Sequence, residues 1–343
     1  MPAFPIQPFR LRLGRNEHAS TLVSEKCRCT GPNFLVLRLL GGGVIFGPRA
    51  NSTGSIGIRI PFLGHHSCQR KPANFMIDVN RFVKFSISVV FFAAGWVRNL
   101  IRRMFGSSPP GQALILYYHS VPKTERLKFA RQMDTLLRWA KPVRADFENL
   151  PNGHGRFVAV TFDDGFVSFV ENALPELEKR NIPATLFVIS DLLGRYPDWP
   201  GFTAEHHEPL MTSEQLRQIP DLITIGSHTL THRTLTHVTE PEAREEIFVS
   251  RTRLQKMLNR DIRLFSFPNG AFNEALVDCC RDAGYERVFT ILPKPAVPGE
   301  FAMGRVWTNP TDWHYEFLLK MMGAYDWLPM AFTLKRKLLS FVR

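Results

Sequence analysis

The strongest constraint on the fold is an alternation of short apolar runs with longer amphipathic runs across the middle of the chain. Six apolar runs have the length of buried strands: 113–118, 157–162, 184–189, 222–225, 264–267 and 287–291. Five runs between them have the pattern of helices: 129–140, 170–180, 213–219, 241–258 and 274–283. Strands that alternate with helices at this spacing form a mainly parallel sheet, open or closed as a barrel. We therefore predict an α/β fold.

The formal net charge of +12 is concentrated in the first third of the 343-residue chain. Residues 1–75 have a net charge of +8 and residues 76–111 a net charge of +4, whereas residues 112–343 contain 28 basic and 28 acidic side chains. A nucleic-acid-binding domain needs a basic surface, and the alternating region has no net charge and no basic strand with interleaved aromatic residues. We therefore expect no nucleic-acid partner.

The first 75 residues show no sustained period of a strand or a helix, and they contain Gly/Pro/Arg-rich pieces. We interpret residues 1–75 as a basic leader, disordered or dispensable, and hypothesise that translation of the native chain starts at Met76. The chain has five cysteines, an odd number that argues against a disulfide framework and leaves the cellular compartment open.

A segment of different character begins at Met76. Arg81 and Lys84 precede thirteen uncharged residues, 85–97. As a helix this run spans about 20 Å, less than the roughly 30 Å of a bilayer hydrocarbon core. The following turns place apolar and basic residues on opposite faces, as in an amphipathic helix at a membrane surface. We predict that residues 76–111 form a signal or membrane-anchor helix plus linker, with 81–105 contacting a membrane surface. The expected location is the cell envelope, with the cytoplasm as the alternative.

Carboxylates and histidines follow two of the predicted strands, where α/β and barrel proteins place their active sites. Asp163 and Asp164 come directly before Gly165, and at a glycine turn one carboxylate can bind a metal while the other acts as a base. His228 and His232 can reach one ion if their turn is helical. Asp164 and the two histidines together form a two-His, one-carboxylate set that suits zinc.

Two further polar segments end predicted strands. Residues 265–270 lead into a Pro268-Asn269-Gly270 turn, whose backbone N–H groups can face a developing oxyanion, although an ordinary tight turn has the same sequence. His119 follows Tyr118 at the end of the first strand and can act as a general acid near neutral pH. The alternative for His119 is a hydrogen-bonded structural histidine.

Taken in chain order, these four segments resemble the motifs of the NodB-type polysaccharide deacetylases, carbohydrate esterase family four. The resemblance extends over residues 113–307 and implies a distorted (β/α) barrel with about seven strands. It implies a single catalytic domain, 112–312, and leaves a C-terminal helical tail, 313–343. It also implies that Asp163 is the general base and that Asp164, His228 and His232 bind the metal.

Two positions depart from the family's pattern. Ser266 stands where better-known members have an arginine that orients the base, and Arg263 and Arg305 are the candidate replacements. Those members also take their catalytic acid from a C-terminal Leu-His motif, and residues 303–307 contain no histidine. The chain is similar to the branch with an early Tyr-His element, which implies that His119 is the acid. His314 is the alternative.

The reaction implied by the resemblance is hydrolysis of N-acetyl groups on N-acetylhexosamine units of a polysaccharide or oligosaccharide, with release of acetate. It requires a divalent metal, for which zinc is the leading candidate, and it places Asn269, Pro268 and Arg305 near the substrate or the oxyanion. The alternatives are a metal-containing carbohydrate-binding pseudo-enzyme on the same fold and a metal hydrolase of another amide or ester. The glycan and the oligomeric state are left open by the sequence.

Overall fold

The computed structural model describes residues 34–38, 44–48, 79–106, 112–150, 155–199 and 208–341. The chain divides into two compact units, Met1–Asn74 and Phe75–Arg343. In the first unit the described residues form two antiparallel strands, β1 (Phe34–Arg38) and β2 (Val44–Pro48). Apart from this strand pair, the predicted leader lies outside the described residues.

The second unit is built on one nine-stranded sheet in which every strand pair is parallel. Its strands are β3 (Gln112–Tyr118), β4 (Lys141–Pro142), β5 (Arg156–Phe162), β6 (Ala184–Val188), β7 (Ile223–Ser227), β8 (Leu264–Ser266), β9 (Arg287–Phe289), β10 (Ala302–Met303) and β11 (Val306–Trp307). The main path runs β10-β9-β8-β7-β6-β5-β3-β11, and β4 also pairs with β5. All six predicted strands are present, whereas β4, β10 and β11 are too short to produce a periodic signal.

The sheet curls until its two outer strands are linked by a dipeptide. β10 and β11 lie at opposite ends of the strand order, yet only Gly304 and Arg305 separate them along the chain. Three Cα–Cα steps join Met303 to Val306, so these two edges lie within about 11 Å of each other. The predicted α/β barrel is confirmed as this curled, barrel-like sheet.

Eight helices accompany the strands within the described residues: α1 (Val79–Met104), α2 (Arg126–Trp139), α3 (Leu174–Lys179), α4 (Ser213–Arg217), α5 (Glu240–Leu258), α6 (Glu274–Asp282), α7 (His314–Met321) and α8 (Leu328–Phe341). A single π turn, Phe169–Ala173, precedes α3. Thr239 caps α5 reciprocally with Glu242, which accepts a 2.8 Å hydrogen bond from the Thr239 backbone N–H. The helical prediction for residues 313–343 corresponds to α7 and α8.

The strands bury both faces. On β3, Leu116 and Tyr118 join the large apolar cluster shared with the helices, while Ala113 and Ile115 join a second cluster on the opposite face. This alternation follows the two-residue period of a strand, and it turns odd-numbered residues of β3 and β5 toward the barrel interior. Tyr117, Thr161 and Asp163 therefore lie on the interior side.

Candidate active site

A cavity of about 660 Å³ opens at the carboxyl ends of the parallel strands, and all four polar segments found in the sequence contribute to its wall. The charged and imidazole groups in its wall include His119, Asp163, Asp164, His228 and His232. The carboxyl ends of parallel strands meet at one edge of a sheet, which explains why segments far apart in the chain converge here.

The two adjacent aspartates reach the cavity because the chain turns sharply after β5. Asp164 and Gly165 both have positive φ values, 71° and 81°. A Cβ atom at Gly165 would lie 2.9 Å from Cγ1 of Val188, so glycine relieves a close approach as well as backbone strain. Both carboxylates are buried. The turn lets Asp163 face the barrel interior while Asp164 faces the two histidines.

The loop that contains His228 and His232 brings both imidazoles into the cavity without a helical turn. Residues 228–232 are not helical, so the helical turn that would place both imidazoles on one face is absent. Instead, Thr229 and His232 adopt left-handed backbone conformations with φ of 69° and 65°. The two imidazole rings still converge, with centroids 5.0 Å apart.

The three groups predicted to bind a metal form a buried cradle. Nε2 of His228 and Nε2 of His232 lie 3.4 Å and 3.3 Å from Oδ1 of Asp164. That oxygen has no hydrogen-bond partner among the described residues, although it is buried. Ligand atoms from all three residues lie within 4.8 Å of one another. A buried carboxylate and two imidazoles that face one another without a hydrogen bond fit a divalent metal such as zinc.

The carbonyl oxygen of Ser266 fixes the orientation of one ligand. It lies 2.8 Å from Nδ1 of His228, so the imidazole donates Nδ1–H to the carbonyl and presents Nε2 to the cradle. A hydrogen bond of this kind sets the tautomer of a metal-binding histidine.

Arg305 holds the second aspartate in a fixed position. Its Nη1 donates to Oδ1 of Asp163 at 2.7 Å and its Nη2 to Oδ2 at 2.8 Å. The same guanidinium donates to Oγ of Ser266 at 2.7 Å and to Oγ1 of Thr161 at 3.1 Å. Arg305 is fully buried. The sequence places Arg305 near the substrate or the oxyanion, but Arg305 does not line the cavity, and its guanidinium contacts Asp163 instead.

Of the two arginines considered as replacements at position 266, Arg305 is the one that contacts Asp163. Arg263, the other candidate, lies elsewhere and pairs with Asp146 and Glu286. The Ser266 hydroxyl accepts from Arg305, which shows how a small residue leaves room for a guanidinium that comes from the link between β10 and β11.

The charges of the site set the protonation of the two aspartates. Burial raises the pKa of Asp163, but the Arg305 guanidinium beside it, assisted by His228, outweighs burial and holds that pKa below its ordinary value. Burial also raises the pKa of Asp164, and contacts with His228 and His232 outweigh it, so the net pKa lies well below its ordinary range. Both groups are carboxylates at neutral pH.

The pKa values of the two cradle histidines shift in opposite directions. Burial lowers the pKa of His228, but the charges of Asp163 and Asp164 raise it to a net value above the ordinary 6.5. For His232 burial dominates, and its pKa is lowered. Because metal binding requires neutral imidazoles, loading the site expels any proton held by His228.

The two candidate acids occupy different places. His119 is exposed, lines the cavity, and has its ring centroid 5.7 Å from that of Tyr117. His314 begins α7 and is exposed, and it is not among the residues that line this cavity. The geometry therefore favours His119 as the group that can reach a bound substrate.

The Pro268-Asn269-Gly270 turn forms one wall. Asn269 lines the cavity with a left-handed backbone, φ 56°, and its Nδ2 donates to Oγ1 of Thr234 at 2.9 Å. Pro268 is buried and does not line the cavity. A Cβ atom at Gly270 would lie 2.1 Å from Cγ1 of Ile291, so only glycine allows the turn to pack this closely.

Sequence reasoning missed several residues that shape the site. Glu246 of α5 is buried and accepts hydrogen bonds from the backbone N–H groups of Leu230 and Thr231 at 2.9 and 2.8 Å, and from the Thr231 hydroxyl. It thereby anchors the loop between the two histidines. The signal that could have revealed it is a glutamate at a position of α5 that is otherwise apolar.

Aromatic side chains flank the cavity. The ring of Trp199 lies 4.2 Å from that of His232, and Trp307 is 52% exposed at the rim.

The fold and this site define a class of protein: an α/β barrel-like hydrolase with a metal cradle beside a buried, arginine-held carboxylate. Residues 151–288 match the polysaccharide deacetylase family profile. This match confirms the resemblance to the polysaccharide deacetylases noted in the sequence.

The chain is also similar in sequence and in structure to individual proteins that are named as deacetylases. YxkH of Bacillus subtilis, whose name assigns it to the polysaccharide deacetylases, is 26% identical over 59% of this chain and 73% of its own length. The poly-beta-1,6-N-acetyl-D-glucosamine N-deacetylase of Staphylococcus epidermidis is 25% identical over 62% of this chain and 84% of its own. The structure of IcaB from Ammonifex degensii superposes with a TM-score of 0.53 and 27% identity, covering 62% of this chain and 97% of that one.

Proposed function

We propose that this protein hydrolyses N-acetyl groups on N-acetylhexosamine units of a glycan, releasing acetate and a free amine. The observation that supports this most directly is the pairing of two differently held aspartates: Asp164 faces the histidine cradle, while Arg305 grips Asp163. One carboxylate is placed to bind a metal and the other to accept a proton. The match of residues 151–288 to the polysaccharide deacetylase family agrees with this assignment.

Asp163 acts as the general base. Its carboxylate lines the cavity and stays ionised because Arg305 lowers its pKa. In the reaction it removes a proton from the water that attacks the acetamide carbonyl carbon. The bidentate contact with Arg305 holds both oxygens in place, so little reorientation is needed during proton transfer.

Asp164, His228 and His232 hold the metal, and we assign zinc because two imidazoles and a carboxylate leave an open position for water and substrate. When bound, zinc supplies Lewis-acid polarisation of the carbonyl and lowers the pKa of water. Asn269 also lines the cavity, and its backbone N–H is a candidate donor to the carbonyl oxygen as negative charge develops there.

His119 donates the proton that the departing amine needs. It is exposed at the cavity mouth, so a bulky sugar ring can approach it without rearrangement of the core. Trp199 and Trp307 flank the cavity and provide apolar faces on which sugar rings can stack. The name of the Staphylococcus epidermidis relative supports a poly-N-acetylglucosamine-type substrate, and we place the enzyme at the cell envelope.

The test is acetate release from N-acetylglucosamine oligomers by the full chain, with zinc, after chelation, and after zinc is restored. We expect Asp163→Asn to bind zinc normally and to lose about 10²–10⁴-fold in turnover. His228→Ala should lose both zinc and turnover. Wild-type turnover by Asp163→Asn would contradict the base assignment.

The same experiment separates the enzyme from a carbohydrate-binding pseudo-enzyme. A pseudo-enzyme would bind the oligomers, measured by calorimetry, yet release no acetate in any metal state. The contact between Arg305 and Asp163 supports the enzyme over this alternative, because it supplies the cation that position 266 lacks.

A further inference from the structure

The helix α1 presents an unusual amount of apolar surface. It is long and apolar enough by composition to cross a membrane, and only 6% of its most apolar window is buried. Within it Val90 is 70% exposed and Met104 is 78% exposed. Exposed apolar surface of this extent marks an interaction site.

The covered side of α1 is a single stripe. Its half-buried or buried positions recur every three or four residues: 81, 85, 88, 92, 95 and 99. At about 100° per residue these positions fall on one side of the helix. Exposed apolar side chains such as Val83, Val90, Val97 and Ile101 fall on the opposite side. We call this opposite side, with Met104, the outer face.

Polar contacts attach the first half of α1 to the catalytic unit. Arg81 donates to Oε2 of Glu316 at 2.8 and 2.6 Å and stacks on Trp313. Nε1 of Trp327 donates to Oγ of Ser88 at 3.0 Å. A helix fixed in this way along its first three turns cannot cross a bilayer unless these contacts break, since each would otherwise enter hydrocarbon. The helix can, however, lie in the membrane plane.

The charges of α1 indicate what covers its outer face. The helix contains no acidic residue, and Lys84, Arg98, Arg102 and Arg103 lie beside the covered stripe, within about a quarter turn of it. With the outer face inserted, these cations lie at the level of lipid headgroups. A second copy of the chain would instead bring two sets of like charges together. The charge pattern thus favours an anionic lipid surface over a dimer partner.

The helix α8 begins beside the Ser88 contact of α1 and also exposes apolar side chains, Met330, Phe332 and Leu334. A second cavity of about 350 Å³ lies between these helices and the barrel end, and it shares Tyr117 and Trp307 with the catalytic cavity. Its lining includes Arg81 of α1 and no residue of the outer face. The outer face of α1 is therefore not used by either cavity.

We propose that the outer face of α1 docks the enzyme in the plane of an anionic membrane without spanning it. The docking surface stands on the geometry of α1 and does not depend on the proposed deacetylation.

Vesicle flotation of the full chain tests the proposal. We expect the protein to float with vesicles of phosphatidylcholine containing a quarter phosphatidylglycerol, and much less with phosphatidylcholine alone. Replacing Val90, Val97 and Ile101 by glutamine, a good helix former, should lower binding at least tenfold. The matched control is Leu127→Gln, which changes a 73% exposed leucine on α2 and should bind like the wild type.

A charge variant tests the lipid specificity. Arg98→Gln with Arg102→Gln should weaken binding to the anionic vesicles about fivefold for each arginine and leave binding to phosphatidylcholine unchanged. Equal flotation of the wild type and the outer-face variant would overturn the proposal. So would light scattering that shows a dimer in the wild type and a monomer in the outer-face variant.

Turnover of soluble oligomers separates this proposal from the proposed function. The outer-face variant should release acetate at the wild-type rate, because none of its changes touches the cavity. If no variant releases acetate while flotation behaves as expected, the deacetylase assignment fails and the docking surface stands.

Discussion

Replacing Arg305 with methionine tests the interpretation of the site most severely. Methionine fills a similar volume but cannot donate, so the change removes both hydrogen bonds to Asp163 and leaves its carboxylate buried without a cation. Breaking a buried ion pair from one side costs about 3–5 kcal/mol of stability. We expect the free energy of unfolding to fall by that amount.

The same change alters the protonation of the base. In the wild type Arg305 opposes the effect of burial and keeps the pKa of Asp163 low, so the base is ionised above a low pH. Without the guanidinium the main influence that lowers this pKa is lost, and the pKa of Asp163 in the folded state rises. Activity is then lost at a higher pH as the solution is acidified. Because an adjacent opposite charge lowers a carboxyl pKa by about 1–3 units, the acidic limb of the pH–rate profile should move up by that interval.

The assay is acetate release from N-acetylglucosamine oligomers between acidic and alkaline pH at saturating zinc. At neutral pH we expect a loss of about 10²–10⁴-fold in turnover, with zinc content unchanged. Arg305→Lys should recover part of it, since lysine restores the charge but not the bidentate geometry. Combining Arg305→Ser with Ser266→Arg moves the guanidinium to the position at which better-known family members hold it, and should also recover part of the rate.

Arg287→Met is the matched control. Arg287 is a buried arginine of β9 whose partners are Phe147 and its carbonyl, away from the aspartates. Its loss should lower stability and leave the shape of the pH–rate profile unchanged. If Arg305→Met keeps the wild-type profile, or if Arg287→Met shifts it equally, the positioning role assigned to Arg305 is refuted.

Two further predictions concern groups that the reaction does not touch. Glu246→Ala should weaken zinc binding about 10–100-fold, because it frees the loop between the two histidines. The affinity is measured by competition with a chromophoric chelator, and the control is Glu245→Ala, which changes an exposed neighbour and should bind zinc like the wild type. Equal zinc affinities of the two variants would show that the contacts of Glu246 with this loop are unimportant for zinc binding. Asp326 has a buried oxygen without a hydrogen-bond partner among the described residues, and burial raises its pKa from 3.8 to about 7. Between these values the folded state holds a proton that the unfolded state has lost, so stability falls as pH rises, by up to about 4 kcal/mol. Urea unfolding at pH 5 and pH 8 should show the part of this fall that lies above pH 5, about 3 kcal/mol, in the wild type and not in Asp326→Asn.

The pattern of the sequence was sufficient for the main elements of the fold. The six predicted strands and the helices between them produce clear apolar signals in the sequence, because each must bury one face or both. The capping box at Thr239 and Glu242 was also readable, since it depends on neighbours three residues apart. The strands β4, β10 and β11 were not readable, because two residues contain no period.

The candidate site likewise has one part that the sequence could predict and one part that it could not. Its ligand residues follow strand ends and could be selected from residue type and position alone. The backbone that brings them together could not, because left-handed conformations at Asp164, Thr229 and His232 are imposed by tertiary packing on residues that do not prefer them. For this reason the loop that contains the two histidines brings them together without a helical turn.

The sequence alone determined which side chains are available to bind a metal, to take a proton and to meet a membrane, since these depend on chemistry and local order. Only the tertiary structure decided which arginine supports Asp163. That choice depends on the curling of the sheet, which brings β10 and β11 together and places Arg305 beside a strand more than a hundred residues earlier in the chain. It also decided that α1 lies along α7, because Arg81 finds its partner Glu316 only after the chain has folded.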